Sequence, residues 1–342
     1  MKNTNVSVWK IEESLEEVLV LLQEDYSKFC NELGNYQIDI QEKLLINKWT
    51  NSGGQAWEIR KINIEDDEYR YVHCIANMEV NSIPNFGMES TGDKPLPKRI
   101  RVKKVSSEVF FIEYMGSIYV ITVGSKSNEG RIKSNLMDST KKREEARWKK
   151  IISKNIPEFS FDKSFYYWLL YNKGNEFIFD NNKLKLNDVK GFKSSAERNE
   201  IAYKGEGSNI DSEIPLKSLV SMDESLISLY LHIQYNESIE FAFYMDNDGR
   251  LEIYEIACGE FRTPNAHMFS REESITYIYF MIIPFLIRKY NEDNNSSEWE
   301  INKNNFKKKL SIEIILELMQ ENSIKIEDLD EDLDEELTVS SS

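Results

Sequence analysis

Helical spacing of hydrophobic residues, or a composition typical of helices, marks five segments of the chain. The first segment opens with Ser14 and Glu17, the two residues of a capping box, and continues with apolar residues as far as Phe29. Gly34 is expected to end this helix. The predicted helices cover residues 14–33, 131–154 (one basic helix or a helix pair), 160–171, 270–290 and 306–319.

The segment 270–290 is the most hydrophobic of the five. Ser270 and Glu273 form a second capping box at its start, and its centre, ITYIYFMIIPFLI, is apolar on every side, which is typical of a buried helix. Pro284 predicts a kink within it. The apolar centre has 13 residues, fewer than the roughly 18 to 20 that cross a bilayer. We therefore expect a core helix and no membrane partner.

Alternating hydrophobic and polar positions predict β-strands elsewhere. Two strands over 55–80 are joined by an acidic turn at 65–68, and a loop over 82–98 precedes three short strands. A hairpin follows over 176–189, and a three-stranded meander over 227–258 is the clearest β signal. The three short strands are predicted at 99–105, 109–114 and 118–123.

These elements predict the α+β class, because helices and neighbouring strands are interspersed without a regular βαβ alternation. A chain of 342 residues also exceeds the size at which one hydrophobic core usually stops growing. We therefore expect two domains, each an antiparallel sheet with packed helices: residues 1–155, ending in a basic helix, and 156–322, a β-meander with the buried helix. An acidic tail, 323–342, should follow.

Charge is divided sharply along the chain. The formal net charge is -16, yet residues 94–154, here called the basic segment, carry +10, so the remainder carries -26. The tail has eight carboxylates within 327–336, and such like-charged runs usually stay solvated. The division indicates an acidic body with one region suited to a polyanion.

Nucleic acid is the polyanion that the basic segment favours, because lysine and arginine bind DNA or RNA by displacing condensed counterions. We expect a non-catalytic binding component whose acidic tail competes for the same surface. The candidate nucleic-acid-binding residues are Lys98, Arg99, Arg101, Lys103, Lys104, Lys141, Lys142, Arg143, Arg147, Lys149 and Lys150.

Two other interpretations of the charge remain open. The basic segment can dock on a protein partner, on a second copy or on the acidic surface of its own chain, which would make the protein an adaptor or a subunit of a larger complex. It can also be a plain solvated surface. Exposure of the lysines and arginines distinguishes these interpretations.

Candidate catalytic chemistry is sparse. Metal-dependent nucleases hold their metal with carboxylates near a lysine, and Asp180, Asp188 and Lys190 are the one passable combination, with a solvated hairpin as the alternative. His232 should share a sheet face with residues that include Tyr230, Glu240 and Tyr244, which suits an acid-base pocket, a platform for base stacking or a solvated face. No cofactor or metal site is expected, and whether the chain is an enzyme stays undecided.

The remaining composition points to a cytoplasmic, prokaryotic protein. Cys30, Cys74 and Cys258 are widely spaced and include no CxxC pair, so reduced thiols are expected. The N-terminus lacks the apolar core of a signal peptide. Lysine outnumbers arginine by 31 to 12, which is typical of AT-rich genomes, and this context favours membership of a multi-protein system such as antiviral defence.

Overall fold

The computed structural model describes residues 3–54, 56–81, 94–142, 144–153, 156–179, 182–196, 201–207, 210–262 and 266–326. It combines α-helices with extensive antiparallel β-sheet, so the predicted α+β class is confirmed. Arg143, Asp180 and the greater part of the predicted acidic tail, 327–342, lie outside the described residues.

The strands are numbered in chain order. They are β1 (Asn3–Ile11), β2 (Lys28–Phe29), β3 (Leu44–Leu45), β4 (Asn47–Asn51), β5 (Arg60–Ile64), β6 (Asp67–Asn81), β7 (Val102–Tyr114), β8 (Ser117–Val123), β9 (Ile151–Ile152), β10 (Glu176–Phe179), β11 (Asn182–Ala196), β12 (Ile201–Glu206), β13 (Ser225–Tyr235), β14 (Ile239–Asp246), β15 (Leu251–Tyr254), β16 (Gly259–Glu260) and β17 (His267–Met268).

The helices are numbered in the same way. They are α1 (Leu15–Leu21), α2 (Ile40–Lys43), α3 (Lys98–Arg101), α4 (Lys126–Leu136), α5 (Lys163–Tyr171), α6 (Ile214–Ser221), α7 (Arg271–Tyr277), α8 (Ile283–Asn294) and α9 (Ser297–Glu321). A π-helical turn, Ile278–Ile282, separates α7 from α8.

Tertiary contacts group the chain into two compact units, residues 1–160 with 248–256 and 268–283, and residues 161–247 with 257–267 and 284–342. In the first unit the strand order is β15-β1-β8-β7-β6-β4, and every neighbouring pair is antiparallel. Strand β5 pairs with β6, and β9 pairs with β1.

The sheet of the first unit buries both faces over most of its length. One face packs against α1 and α4, and Trp148 stacks on Phe111 there with ring centroids 5.7 Å apart. On the other face Phe280 packs against Tyr69, Tyr114 and Tyr119. Aromatic side chains bury large apolar areas, so these contacts form much of the core.

The second unit has the strand order β10-β11-β13-β14, again antiparallel, with β12 paired to β11. Asp162 is the N-cap of helix α5, and its carboxylate accepts a hydrogen bond from the Phe165 amide. The rings of Trp168 and Phe177 stack 5.3 Å apart. Helices α6 and α9 pack together in the same unit.

The first predicted helix is shorter than expected. The capping box of Ser14 and Glu17 is present, but α1 ends at Leu21 rather than near residue 33. The Tyr26 hydroxyl donates to the Leu21 carbonyl at 2.9 Å, which satisfies a terminal helix carbonyl. Cys30 and Leu33 then pack with Leu45 in a separate small core.

The predicted basic helix over 131–154 is wrong for most of its length. Helix α4 ends at Leu136, and Asp138 has a positive φ of 52°, a left-handed conformation that cannot continue an α-helix. The following residues are irregular up to β9, and Trp148, 1% exposed, anchors them in the core. The free energy gained by burying this ring exceeds the helix propensity of the segment, so the segment is not helical.

Two further differences concern strands. Residues 102–114 form the single strand β7 rather than two short strands, because residues 102–112 pair with β6 without a break and 109–114 pair with β8. Strand β1 was not predicted, although it lies between β8 and β15. Strands β7 and β8 form a tight hairpin, with positive φ at both Met115 and Gly116, as a two-residue turn of this type requires.

The predicted helical segment 270–290 is confirmed with one change. Its backbone adopts the π-helical turn immediately before Pro284. Proline lacks an amide hydrogen and clashes with the preceding turn, and a wider π turn relieves both problems. Within the described residues, no helix has the length and apolarity needed to cross a bilayer.

Candidate nucleic-acid interface

The predicted binding residues fall into two groups in the first unit. The first group lies on α3 and the first residues of β7 and consists of Lys98, Arg99, Arg101, Lys103 and Lys104. The second group lies in the irregular stretch between α4 and β9. Arg143 belongs to the second group by sequence but lies outside the described residues. The basic segment is therefore divided between two different elements of the fold.

Arg101 is buried and structural. Its side chain is 0% exposed and donates to the Leu96 carbonyl at 3.0 Å, to Asn81 Oδ1 at 2.9 Å and to the Glu42 carbonyl. The Glu42 carboxylate lies 3.8 Å away. A guanidinium with all these partners ties α2, β6 and α3 together, and it is not available to a ligand.

Three residues of the second group pair with two carboxylates. Lys141 and Arg147 lie 2.9 and 3.1 Å from Asp138, and Lys149 lies 2.6 Å from Glu17. Burial alone would raise the pKa of Asp138, but hydrogen bonds from Lys141 and Arg147 outweigh it and hold the pKa below its usual value. This group stabilises its own segment more than it presents positive charge.

Eight of the described predicted residues are exposed: the three paired residues above and five others, Arg99, Lys103, Lys104, Lys142 and Lys150. None of the five forms a salt bridge with a carboxylate in the described part of the chain. Three of them belong to the α3–β7 segment, which makes this segment the more favourable of the two for an anionic partner.

A groove of about 290 Å³ crosses the first unit's sheet beside this segment. It lies over strands β4, β6 and β7, with Lys48 on one side and Lys104 on the other, and we call it the Lys48–Lys104 groove. Both lysines are exposed. Its lining residues are Ile46, Lys48, Asn77, Met78, Glu79, Lys104, Val105 and Ser106.

The strand register explains why these side chains meet. Asn77 is paired with Lys48 on β4 and with Ser106 on β7, and Glu79 is paired with Lys104. Directly paired residues project from the same face of a sheet. On the groove floor the Ser106 hydroxyl donates to Asn77 Oδ1 at 2.7 Å, and Asn77 Nδ2 donates to the Thr50 hydroxyl at 2.8 Å.

Glu79 is the one carboxylate that lines the described groove, and it is held from two sides. Lys98 Nζ lies 2.7 Å from it, and the Ile46 amide donates to it at 2.9 Å. Partial burial raises the pKa of Glu79, but these hydrogen bonds outweigh that effect and keep its pKa below the ordinary value. Glu79 and Lys98 neutralise each other, so Lys48 and Lys104 leave the groove with net positive charge.

Next to the groove on the same sheet face, Arg271 of α7 pairs with Glu108 and Glu255. The Thr4 hydroxyl also donates to Glu255, at 2.6 Å. One arginine pairs with two carboxylates here, so Arg271, Glu108 and Glu255 together carry one net negative charge beside the groove.

The nuclease residues are only partly described. Asp180 lies outside the described residues. The carboxylate of Asp188 lies 3.0 Å from Lys173, which also pairs with Asp211, and Lys190 forms no salt bridge with a described residue. In the portion of the chain with assigned structure, no three His, Cys, Asp or Glu side chains are grouped so as to hold a metal ion.

The predicted polar face on the second unit's sheet is present but largely self-contained. His232 lies 3.2 Å from Glu240, and the rings of Tyr230 and Tyr244 stack 5.0 Å apart. Lys193 Nζ lies 4.7 Å from the centre of the Tyr244 ring. Tyr244 is only 3% exposed, so its ring does not offer a free surface for base stacking.

Lys48, Asn77 and Ser106 were not predicted as site residues. Lys48 lies about fifty positions before the basic segment, and only the pairing of β4, β6 and β7 brings the three residues together. No sequence motif marks such a combination. No known protein-family profile matches this chain, and no characterised protein shows significant sequence similarity to it.

Proposed function

We propose that this protein is a non-catalytic, nucleic-acid-associated binding component that contacts phosphate groups through the Lys48–Lys104 groove. The observation that carries the proposal is the arrangement of Lys48, Lys98 and Lys104 around the single groove carboxylate, Glu79. The exposed side chains of Arg99 and Lys103 extend the positive charge along α3 and β7. Dense phosphate charge is the ligand that such a surface favours.

The spacing of the two lysines supports contact with a phosphate backbone. Strands β4 and β7 both neighbour β6, and the register offsets Lys104 from Lys48 by two residues. Standard strand spacings place their Cα atoms about 12 Å apart. Long, flexible lysine side chains at this separation can reach one phosphate from both sides or two phosphates along a strand.

The groove is suited to the backbone of a nucleic acid rather than to its bases. The polar groups of its floor, Asn77 and Ser106, are hydrogen-bonded to each other, and its lining contains no aromatic ring. Phosphate contacts position a protein without reading sequence. We therefore propose binding that depends little on sequence and strongly on salt.

The acidic tail enters the proposal as an internal competitor. Its eight carboxylates within 327–336 resemble a short polyanion in charge density. Deleting residues 325–342 should tighten nucleic-acid binding, because it removes a competing polyanion and lowers the net negative charge. An unchanged or weaker affinity would contradict the role of the tail as a competitor, but it would not contradict binding at the groove.

Fluorescence anisotropy with labelled single-stranded and duplex oligonucleotides at low salt tests the proposal. Charge reversal in Lys48→Glu/Lys104→Glu should raise Kd at least about tenfold, since each lost phosphate contact is also replaced by repulsion. Lys61→Glu/Lys204→Glu is the matched control, because both lysines are exposed and neither lines the groove. It should change Kd less than threefold.

Two results contradict the proposal. In the first, neither the full chain nor the tail-deleted chain retains an oligonucleotide at low salt. In the second, the control variant loses as much affinity as the groove variant, which would indicate a response to overall charge alone.

A second candidate function is that of an adaptor or subunit that binds another protein chain. It is supported by the apolar side chains that helix α9 exposes: Ile301, Ile312, Ile315, Leu316 and Leu318 are each more than 40% exposed. Monomeric proteins rarely expose a contiguous apolar surface without a function for it.

A further inference from the structure

Helix α9 carries an apolar row on the side that faces away from its own unit. Ile312, Ile315 and Leu316 are 48%, 53% and 60% exposed, and half-buried Met319 continues the row. Their spacing of three, four and seven residues places them on one helix face. We call these four residues the outer stripe.

Contacts on the opposite side of α9 fix the direction in which the outer stripe points. Leu310 and Trp299 are buried there, and Lys217 of α6 lies 3.6 and 3.0 Å from Glu313 and Glu317. The helix cannot rotate the outer stripe inwards without breaking these contacts. The stripe is therefore a lasting feature of the surface.

The outer stripe is self-complementary when two copies of α9 run antiparallel. A twofold axis between residues 315 and 316 places Ile312 of one copy beside Met319 of the other, and Ile315 beside Leu316. Every apolar residue then meets an apolar residue, and the same patch is used by both copies, as a C2 interface requires.

The charges before and after the outer stripe favour the same orientation. Exposed Lys308 and Lys309 lie one turn before it, and exposed Glu321 follows it. An antiparallel pair brings the lysines of one copy towards the carboxylate of the other. A parallel pair would place lysines beside lysines, and like charges at an interface disfavour association.

We propose that the outer stripe of α9 is a homodimer interface, on which a second copy of this chain docks its own α9 antiparallel to the first. Four side chains cover less than the roughly 800 Å² per partner of a standard interface, so the dimer is weak, with Kd on the order of 10 to 100 µM. Physiological salt limits repulsion between the two acidic chains, since the Debye length is about 8 Å.

Sedimentation of the full chain over a range of concentrations tests the dimer. The wild type should move from the monomer mass towards the dimer mass between about 1 and 300 µM, which brackets the expected Kd. Leu316→Glu should raise Kd at least about tenfold, because it places a charge at the centre of the apolar contact. Val20→Glu, at an equally exposed apolar position of α1 (63%), should leave Kd unchanged.

Cross-linking tests the orientation. Ile312→Cys and Met319→Cys chains, mixed and treated with a short thiol-to-thiol cross-linker, should form the mixed dimer more efficiently than either variant forms a dimer alone. Cys30, Cys74 and Cys258 are buried in the folded chain and should not compete. Circular dichroism and melting curves establish that each variant is folded.

Several outcomes would overturn the inference. A wild type that stays monomeric over the whole concentration range contradicts the dimer. A Leu316→Glu variant that is folded and dimerises as strongly as the wild type contradicts this interface. Single-variant samples that cross-link better than the mixture contradict the antiparallel arrangement.

Discussion

Lys98 Nζ lies 2.7 Å from the carboxylate of Glu79, a residue that is only 9% exposed. This ion pair stands at the edge of the Lys48–Lys104 groove, and because its two charges cancel, the net charge of the groove comes from Lys48 and Lys104. The Glu79 carboxylate is also fixed by the Ile46 amide, so it cannot turn away from an approaching anion. The groove therefore contains one fixed negative charge, that of Glu79, and a substitution that removes this charge should change the affinity for nucleic acid.

Replacing Glu79 by glutamine should tighten oligonucleotide binding. The Glu79→Gln side chain still accepts the hydrogen bond from the Ile46 amide, but it no longer neutralises Lys98, so the groove gains one unit of positive charge. We expect Kd to fall about three- to tenfold at low salt, on the order of 1 kcal/mol. Anisotropy titrations measure this, with Glu68→Gln at an exposed surface pair as the control for overall charge. Equal tightening by both variants would contradict a local effect.

Substitution of the two arginines of α3 should affect the free energy of unfolding to very different extents. Arg101→Met removes the buried guanidinium and leaves the Glu42 and Leu96 carbonyls and Asn81 without their donor. Unpaired buried polar groups are costly, so unfolding free energy should fall by about 3 kcal/mol. Arg99→Met, at an exposed position, should change it by less than about 0.5 kcal/mol. Urea denaturation followed by tryptophan fluorescence provides the comparison.

If Arg101→Met proves no less stable than Arg99→Met, the structural assignment of Arg101 is wrong. The site assignment would then have to include it again among the available cations.

The loss of folding stability at low pH should arise partly from protonation of Glu272. The hydrogen bond from His73 lowers the pKa of Glu272 from 4.5 to about 2, and the two side chains lie 3.2 Å apart. The folded state favours the ionised carboxylate of Glu272, so this ionised group stabilises the fold. The stabilisation is complete above about pH 5 and is lost as the pH falls from there towards 2. The contribution is on the order of 2 kcal/mol, allowing for partial solvent exposure.

Unfolding free energies between pH 7 and pH 2.5 measure this effect. Glu272→Gln should be less stable than the wild type at pH 7, and the difference should shrink as the pH falls. Glu144→Gln, at an exposed position, should follow the wild-type curve throughout. A difference for Glu272→Gln that stays constant with pH would show that ionisation of this carboxylate does not contribute.

Much of the fold was accessible from sequence periodicity. The strands of the meander, β13, β14 and β15, follow the alternation of hydrophobic residues, and the capping boxes at Ser14 and Ser270 mark the starts of α1 and α7. These signals are local, because a strand's alternation or a cap is written within a few residues. Their positions were predicted within a few residues.

The errors arose where distant contacts decide the local structure. The helical composition after α4 is overridden by the burial of Trp148 beside Phe111 and by the ion pairs to Asp138. The groove was not predicted for the same reason, since Lys48 and Lys104 are brought to one groove only because β4 and β7 both pair with β6. Charge counting found the basic segment but could not show that Arg101 is buried.

The salt dependence of oligonucleotide binding tests the central claim most directly, because each phosphate contact releases counterions and adds about -0.9 to the slope of log K against log salt for duplex DNA. The wild type should show a steep negative slope, and Lys48→Gln/Lys104→Gln should make it less negative by about 2. Equal slopes for the two proteins, or no retention of oligonucleotide by the wild type at low salt, would contradict binding at the Lys48–Lys104 groove.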